Sequence, residues 1–180
     1  MSDIGAEVKL SVFKDESFQG DRALVDIYRN FGVATEFSQG NIIVRKVQNP
    51  PVADIDLELN NTPDLAQTIA VTVLGLGIRC RLSGLHTLRI KETDRISALK
   101  TELEKLGADV SIADDSLEIR PNGVKPDVAI NTYDDHRMAM AFAPLAIKVP
   151  IVIAEAEVVS KSYPDFWQDL ERIGIGLNRA

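Results

Sequence analysis

An internal repeat constrains the fold of this chain more than any other feature of its sequence. Gly32 corresponds to Gly107 and Arg45 corresponds to Arg120, so two segments align 75 residues apart without a gap. Repetition at a fixed spacing indicates a fold built from copies of one supersecondary unit. The length of 180 residues, with 45% hydrophobic residues, is sufficient for one domain with its own core. We therefore predict a single domain over residues 1–180.

Each copy of the repeat contains a surface helix followed by two strands. Apolar residues recur three and four positions apart in both helices, which gives each one an apolar face: Leu24, Ile27, Tyr28 and Phe31; Ile96, Leu99, Leu103 and Leu106. Each helix is expected to end at the repeated glycine in a left-handed cap. A strand pair is predicted after each glycine, over residues 33–37 and 41–45 and over residues 108–112 and 117–120. A third helix, over residues 164–174, begins a partial copy.

Two further helices are predicted to be buried. Residues 62–76 and 135–147 are apolar almost all round, and each segment precedes a β-rich run, at 78–82 and 151–154. Thr62 is a candidate N-cap for the first, and Asp134 or Asp135 for the second. The pattern predicts an α+β fold of α/β-type repeats. Because residues 7–13 read as a strand that begins in mid-repeat, the chain is expected to be a fragment.

Composition excludes several functional classes. A net charge of −7 argues against non-specific nucleic-acid binding, and the longest apolar stretches are too short to cross a membrane. The single cysteine, Cys80, excludes an internal disulfide, and with no signal peptide in view it favours the cytoplasm. Two histidines and one cysteine at these spacings do not form a zinc site, and no phosphate-loop or dinucleotide motif is present.

Charged residues concentrate where strands meet helices. Residues 88–95 include Lys91, Glu92 and Arg95, which share a face if the segment is helical. Charge runs usually lie on solvated surface, so on physics alone an exposed first turn is the better interpretation. Asp64 is likewise most simply explained as a first-turn acid that complements the helix dipole.

Arg137 is harder to explain as ordinary surface. A cation in the first turn of a helix is unfavourable by roughly 0.3–1 kcal/mol, yet Arg137 opens a helix that is otherwise apolar. An anion bound at the helix start would explain it, and so would an ion pair with Asp134 or Asp135; the sequence favours neither. Lys161 occupies roughly the same position in the repeat as Lys91. Two lysines at equivalent positions near helix starts favour a local cluster of positive charge.

These motifs together resemble a known family. The segments at 91–95 (LysGluThrAspArg), 135–140 (AspHisArgMetAlaMet), 63–64 (ProAsp) and 160–166 (SerLysSerTyrProAspPhe) occur in the order found in 5-enolpyruvylshikimate-3-phosphate synthases. The resemblance runs from about residue 19 to residue 173. It implies two similar domains of βαβαββ repeats with pseudo-threefold symmetry and buried helices, an α/β prism, with substrates between them. This chain would be most of the C-terminal domain, without the N-terminal one.

The resemblance also implies catalytic roles. Asp64 would be the acid/base carboxylate near the 5-hydroxyl of shikimate 3-phosphate, and Lys91 would contact that substrate beside it. Glu92 would move a proton to or from the methylene of phosphoenolpyruvate. Thr87 departs from the asparagine that some family members have four residues before the signature lysine, which puts one shikimate-phosphate contact in doubt.

The remaining roles concern the second substrate. By the same resemblance, Arg95 and Arg137 would hold the carboxylate of phosphoenolpyruvate and Lys161 its phosphate. Asp135 and His136 would shape the site. Three cations suit substrates with several negative charges, and no metal or organic cofactor would be required.

The implied activity is transfer of the enolpyruvyl group to shikimate 3-phosphate with release of phosphate, a step of aromatic amino-acid biosynthesis. The chain alone is expected to be inactive, because the N-terminal domain would supply half of the substrate contacts. The alternative is a non-catalytic anion-binding or interaction module of the same fold. An RNA-end-processing relative is more remote, since the chain is acidic.

Overall fold

The computed structural model describes residues 2–11, 20–38, 40–90 and 94–178. The chain divides into two units, Met1–Ala53 and Asp54–Ala180. Within the first unit, three antiparallel strands form a sheet of order β1-β3-β2. Its elements are β1 (Glu7–Ser11), a 3-10 turn (Gly20–Ala23), α1 (Leu24–Arg29), β2 (Val33–Ser38) and β3 (Asn41–Lys46). The strand predicted over 7–13 is confirmed to residue 11, and its last two residues lie outside the described ranges.

The second unit contains a complete βαβαββ repeat and most of another. The complete copy consists of β4 (Asp54–Glu58), α2 (Ala66–Leu76), β5 (Arg79–Ser83), α3 (Arg95–Lys105), β6 (Asp109–Ile112) and β7 (Leu117–Arg120). The next copy consists of β8 (Val128–Ile130), α4 (His136–Phe142), β9 (Ile151–Ile153) and α5 (Phe166–Arg172). The predicted α+β fold of βαβαββ repeats is thus confirmed.

The strand pairing reproduces the repeat seen in the sequence. Ala34 pairs with Arg45 between β2 and β3, and Asp109 pairs with Arg120 between β6 and β7. Each partner in the second hairpin lies 75 residues after its counterpart in the first. Because a slip of one residue would turn every side chain to the opposite face, an identical register means that corresponding residues face the same side of their own hairpin.

The two apolar helices are buried, as predicted. In α2, the residues that lie inside are Ala66, Gln67, Ile69, Ala70, Val71, Thr72, Val73, Leu74 and Gly75. The helix α4 packs against α2 and ends at Phe142, after which a 3-10 turn (Ala143–Ile147) continues the chain. Pro144 explains the early end, since its ring removes an N–H donor and crowds the preceding turn. Among the described residues no helix is long and apolar enough to span a membrane.

Two strands were not predicted from the residue pattern, namely β4 and β8. They pair in parallel with β5 and β9 respectively. β8 has only three residues, and three of the five residues of β4 are acidic, a class depleted in strands, so neither gives a strong β signal. Their positions matter for the site, because the carboxyl end of β4 leads into the start of α2 and that of β8 leads into the start of α4.

The expected N-cap of the first buried helix was only partly correct. Thr62 precedes a 3-10 turn (Pro63–Leu65) with proline at its first position, but the Thr62 side chain makes no capping hydrogen bond. The chain enters α2 through this turn instead, which carries Asp64 in its middle.

Gly84 and Gly77 offer a matched test of backbone packing in the second unit. Both adopt left-handed φ angles, +76° and +73°. A Cβ at Gly84 would lie 2.6 Å from the backbone nitrogen of Asn60, whereas a Cβ at Gly77 would meet nothing within 4 Å. We expect Gly77→Ala to lower the free energy of unfolding by about 1–2 kcal/mol, the cost of a left-handed alanine. Gly84→Ala should lower it by about 3 kcal/mol, because overpacking against Asn60 adds a further loss of about 1–2 kcal/mol to that of the left-handed alanine.

Urea unfolding followed by circular dichroism measures both losses. Equal losses for the two variants would show that the close approach of Asn60 to Gly84 is relieved by a small backbone shift.

Candidate active site

Four charged side chains meet where the two buried helices begin. Asp64 lies in the 3-10 turn before α2, Arg95 is the first residue of α3, and Asp135 and Arg137 lie at the start of α4. The sequence placed these residues in three separate segments. The fold brings them together because α2 packs against both α3 and α4, and Arg95 hydrogen-bonds to Asp64 and Asp135.

Arg95 joins the two carboxylates. Its Nε donates to Oδ2 of Asp135 at 2.6 Å, and its Nη1 donates to Oδ1 of Asp64 at 2.9 Å. The Arg95 side chain is only 2% exposed. A buried guanidinium is tolerated only when it is paired and hydrogen-bonded, and its planar fork suits two carboxylates at once. The charge pattern alone favoured an exposed first turn, and for Arg95 that interpretation is wrong.

Asp135 is the buried centre of the cluster. Besides Arg95, its Oδ2 accepts a hydrogen bond from Nε2 of Gln67 at 3.3 Å. Its Oδ1 accepts from the backbone N–H of Arg137 at 2.9 Å, which caps α4. Of the two candidates for this cap, Asp134 and Asp135, the structure selects Asp135.

Arg137 does not pair with the side chain of either neighbouring aspartate in the described structure. Its Nη2 lies 3.8 Å from Oδ2 of Asp64, and its Nη1 donates to the backbone carbonyl of Asp64 at 3.4 Å. The side chains of Arg137 and Asp64 are 34% and 36% exposed. Arg137 is thus a half-exposed cation at a helix N-terminus, an arrangement that favours an anion.

The remaining predicted site residues lie at the edge of this cluster or outside the described ranges. Lys161 ends a 3-10 turn (Ala156–Lys161), 77% exposed, with Nζ 3.7 Å from Oδ1 of Asp134. His136 is the half-buried first residue of α4. Lys91 and Glu92 lie outside the described residues, so their predicted positions stay predictions.

Sequence reasoning missed Gln67, which touches the central carboxylate. Gln67 is 1% exposed, and its Oε1 has no hydrogen-bond partner among the described residues. The same holds for the buried Oγ1 of Thr87. A glutamine inside a helix predicted to be buried was the available signal, because buried polar side chains need partners.

A second buried carboxylate, also missed, belongs to Glu102 on α3. It is 0% exposed; Oε1 accepts from the Tyr133 hydroxyl at 2.7 Å, and Oε2 from the Asn131 backbone N–H at 3.2 Å. Lys105 forms an ion pair with it. Burial, reinforced by the hydrogen bond to Glu102, raises the pKa of Tyr133 to about 12.

Solved structures define the fold class. An EPSP synthase from Acinetobacter baumannii superimposes with a TM-score of 0.77 at 22% identity, covering 96% of this chain and 42% of that one. The enolpyruvyl transferase NikO from Streptomyces tendae superimposes with a TM-score of 0.63 at 16% identity, covering 99% of this chain and 41% of that one. The fold is therefore that of the enolpyruvyl transferases.

The sequence places the chain within that class. The model of the EPSP synthase (3-phosphoshikimate 1-carboxyvinyltransferase) family matches residues 4–170, and the chain belongs to this family. A 3-phosphoshikimate 1-carboxyvinyltransferase of Bacteroides fragilis is 43% identical over 177 residues, which are 96% of this chain and 43% of that protein. One from Vibrio campbellii is 36% identical over 94% of this chain and 39% of its own length. The chain thus spans less than half of these relatives.

Asp135 and Asp64 should differ sharply in their effect on stability. Asp135→Asn leaves the buried Arg95 facing an amide, and removing one partner of a buried ion pair typically costs about 3–5 kcal/mol. Asp64→Asn weakens a half-exposed pair and should cost about 1 kcal/mol or less. Chemical unfolding of the two variants makes the comparison. Similar losses would mean that Arg95 depends equally on both carboxylates.

Tyr133 should ionise near pH 12. The ultraviolet titration of the chain minus that of Tyr133→Phe isolates this phenol from the other two tyrosines. Because the folded pKa lies above the ordinary value of about 10, the contribution of Tyr133 to stability is intact below pH 10 and is lost as the pH rises through 12. A difference curve centred near pH 10 would contradict the burial of this hydroxyl beside Glu102.

Proposed function

We propose that this chain is one part of an enzyme that transfers the enolpyruvyl group of phosphoenolpyruvate to the 5-hydroxyl of shikimate 3-phosphate, with release of phosphate. The observation that carries the proposal is the cluster of Asp64, Arg95, Asp135 and Arg137 at the starts of α2 and α4. It lies in a member of a family whose relatives are named for carboxyvinyl transfer to 3-phosphoshikimate.

Asp64 is suited to the proton transfer at the accepting hydroxyl. Its carboxylate is half-exposed, so a substrate can reach it, and Arg95 fixes one of its oxygens. A positioned carboxylate can take a proton as the hydroxyl oxygen attacks C2 of phosphoenolpyruvate. In this proposal Lys91 contacts shikimate 3-phosphate beside Asp64.

A second group must handle the proton on carbon. Addition of the hydroxyl places a proton on the methylene carbon and gives a tetrahedral intermediate; loss of phosphate and of one methyl proton then restores the double bond. We assign this proton to Glu92. Two carboxylates in different environments can divide the two transfers between them.

The cations of the site would bind the anionic donor substrate. Arg137 is half-exposed at the N-terminus of α4 and is proposed to hold the carboxylate of phosphoenolpyruvate, with Arg95 contributing from its buried position. Lys161, well exposed beside Asp134, is proposed to reach the phosphate. The Asp135 carboxylate accepts from the guanidinium of Arg95 and from the backbone N–H of Arg137, so it holds both arginines in place. His136 is proposed to shape the adjoining surface.

A partner domain completes the proposal. The chain spans 43% of the Bacteroides fragilis relative, and we propose that residues 1–180 form most of a C-terminal domain that closes on an N-terminal one in the cytoplasm. Closure would exclude water from the site. The chain alone is then inactive.

The test combines this chain with the N-terminal part encoded by the same gene. It measures the phosphate released from phosphoenolpyruvate when shikimate 3-phosphate is present. We expect activity only in the mixture. Glu92→Gln should reduce kcat by about 100-fold or more, as loss of general acid–base catalysis does. Arg137→Gln should raise the KM for phosphoenolpyruvate roughly 10- to 100-fold, since a charge-assisted hydrogen bond contributes about 1.5–3 kcal/mol.

Glu104→Gln is the matched control for Glu92→Gln, because it removes the same charge from a residue of α3 that pairs with Lys100 at the surface. It should leave both kinetic constants unchanged. If two folded parts associate and bind phosphoenolpyruvate without turnover, the chain is a non-catalytic anion-binding module instead.

A further inference from the structure

We infer that Glu102 is a positioning residue that holds Asp135 and Arg137 in place through the 131–135 loop, the segment between β8 and α4. The position of the loop follows from the structure alone. The consequence for phosphoenolpyruvate binding rests on the proposed function.

Glu102 and Arg95 act on the same segment from one face of α3. They lie seven residues apart, which is close to two helical turns, so their side chains point the same way. Arg95 holds the end of the loop through the Asp135 carboxylate. Glu102 holds its beginning and middle through the Asn131 N–H and the Tyr133 hydroxyl. Side chains of the single helix α3 therefore hydrogen-bond to both ends of the loop.

The loop needs these hydrogen bonds because its backbone is strained. Tyr133 and Asp134 have φ angles of +56° and +55°, in the left-handed region that side chains with a Cβ rarely adopt. Residues held this way are strained and persist only where the surroundings determine them. The strain lies directly before Asp135, so its release would move the cap of α4 and with it Arg137.

The burial of Glu102 also requires an explanation beyond stability. A fully buried carboxylate such as that of Glu102 is destabilising unless its oxygens are paired. An apolar residue at this position of α3 would continue the apolar face made by Leu99 and Leu103, and could pack against the core at lower cost. What an apolar residue could not do is accept hydrogen bonds from Asn131 and Tyr133.

Hydrogen exchange of this chain, followed by mass spectrometry, tests the inference without any substrate. In Glu102→Gln we expect amides of residues 131–137 to exchange tenfold faster or more, because an NH2 donor replaces one of the two carboxylate oxygens that accept from Asn131 and Tyr133. Amides of α2 should stay within twofold of the wild type. Tyr133→Phe removes only the phenol contact and should give a smaller, threefold to tenfold, increase in the same residues.

Glu104→Gln again serves as the control and should change nothing, since it removes a carboxylate of α3 that does not face the loop. Unchanged exchange at 131–137 in Glu102→Gln would overturn the inference. So would a uniform increase that includes α2, which is what a purely stabilising residue would produce. If Glu102→Gln does not fold, Tyr133→Phe decides in the same way.

Kinetics of the full-length protein supply the second arm. Glu102→Gln should raise the KM for phosphoenolpyruvate fivefold or more and leave the KM for shikimate 3-phosphate within twofold. A looser loop with unchanged kinetics would overturn the link to Arg137. If the wild-type protein has no transferase activity, the proposed function fails, and the exchange measurements still decide whether Glu102 positions the loop.

Discussion

The site depends on one buried guanidinium, that of Arg95, held between Asp64 and Asp135. Burying these charges is unfavourable in itself, and their mutual attraction offsets that cost only if the geometry is good. Each contact is therefore a constraint: the start of α3 must lie against the starts of both α2 and α4. A hydrophobic contact would tolerate small shifts between these helices, whereas two directional hydrogen bonds do not.

The apolar character of α2 and α4 makes this arrangement possible. Helices buried on nearly every side have their ends fixed by the core, so the groups at their first turns have little freedom. β4 leads into α2 and β8 leads into α4, and each of these strands is held by parallel pairing with the next strand, β5 or β9. The repeat thus produces two equivalent helix starts, and the differences between copies place Asp64 at one and Asp135 with Arg137 at the other.

Local sequence predicted what depends on local physics. The two strand pairs, the two buried helices and the cap by one of two aspartates all follow from periodicity and from side chains that satisfy nearby backbone groups. The partners of Arg95 and Arg137 could not be predicted, because they lie 31 to 73 residues away and only the packing of three helices brings them close. Gln67 and Glu102 were missed because a polar residue on an apolar face has no visible partner until the fold is known.

Burial separates the charged residues into two groups. Arg95, Asp135 and Glu102 are almost completely enclosed and bind protein atoms, whereas Asp64, Arg137 and Lys161 reach solvent. Because a desolvated, saturated ion pair cannot rearrange at low cost, the enclosed residues are suited to fixing geometry. The exposed residues retain the freedom to exchange water for a ligand. A site organised in this way can bind anions on an acidic chain, since the local arrangement of charges rather than the net charge of −7 determines the field that a ligand meets.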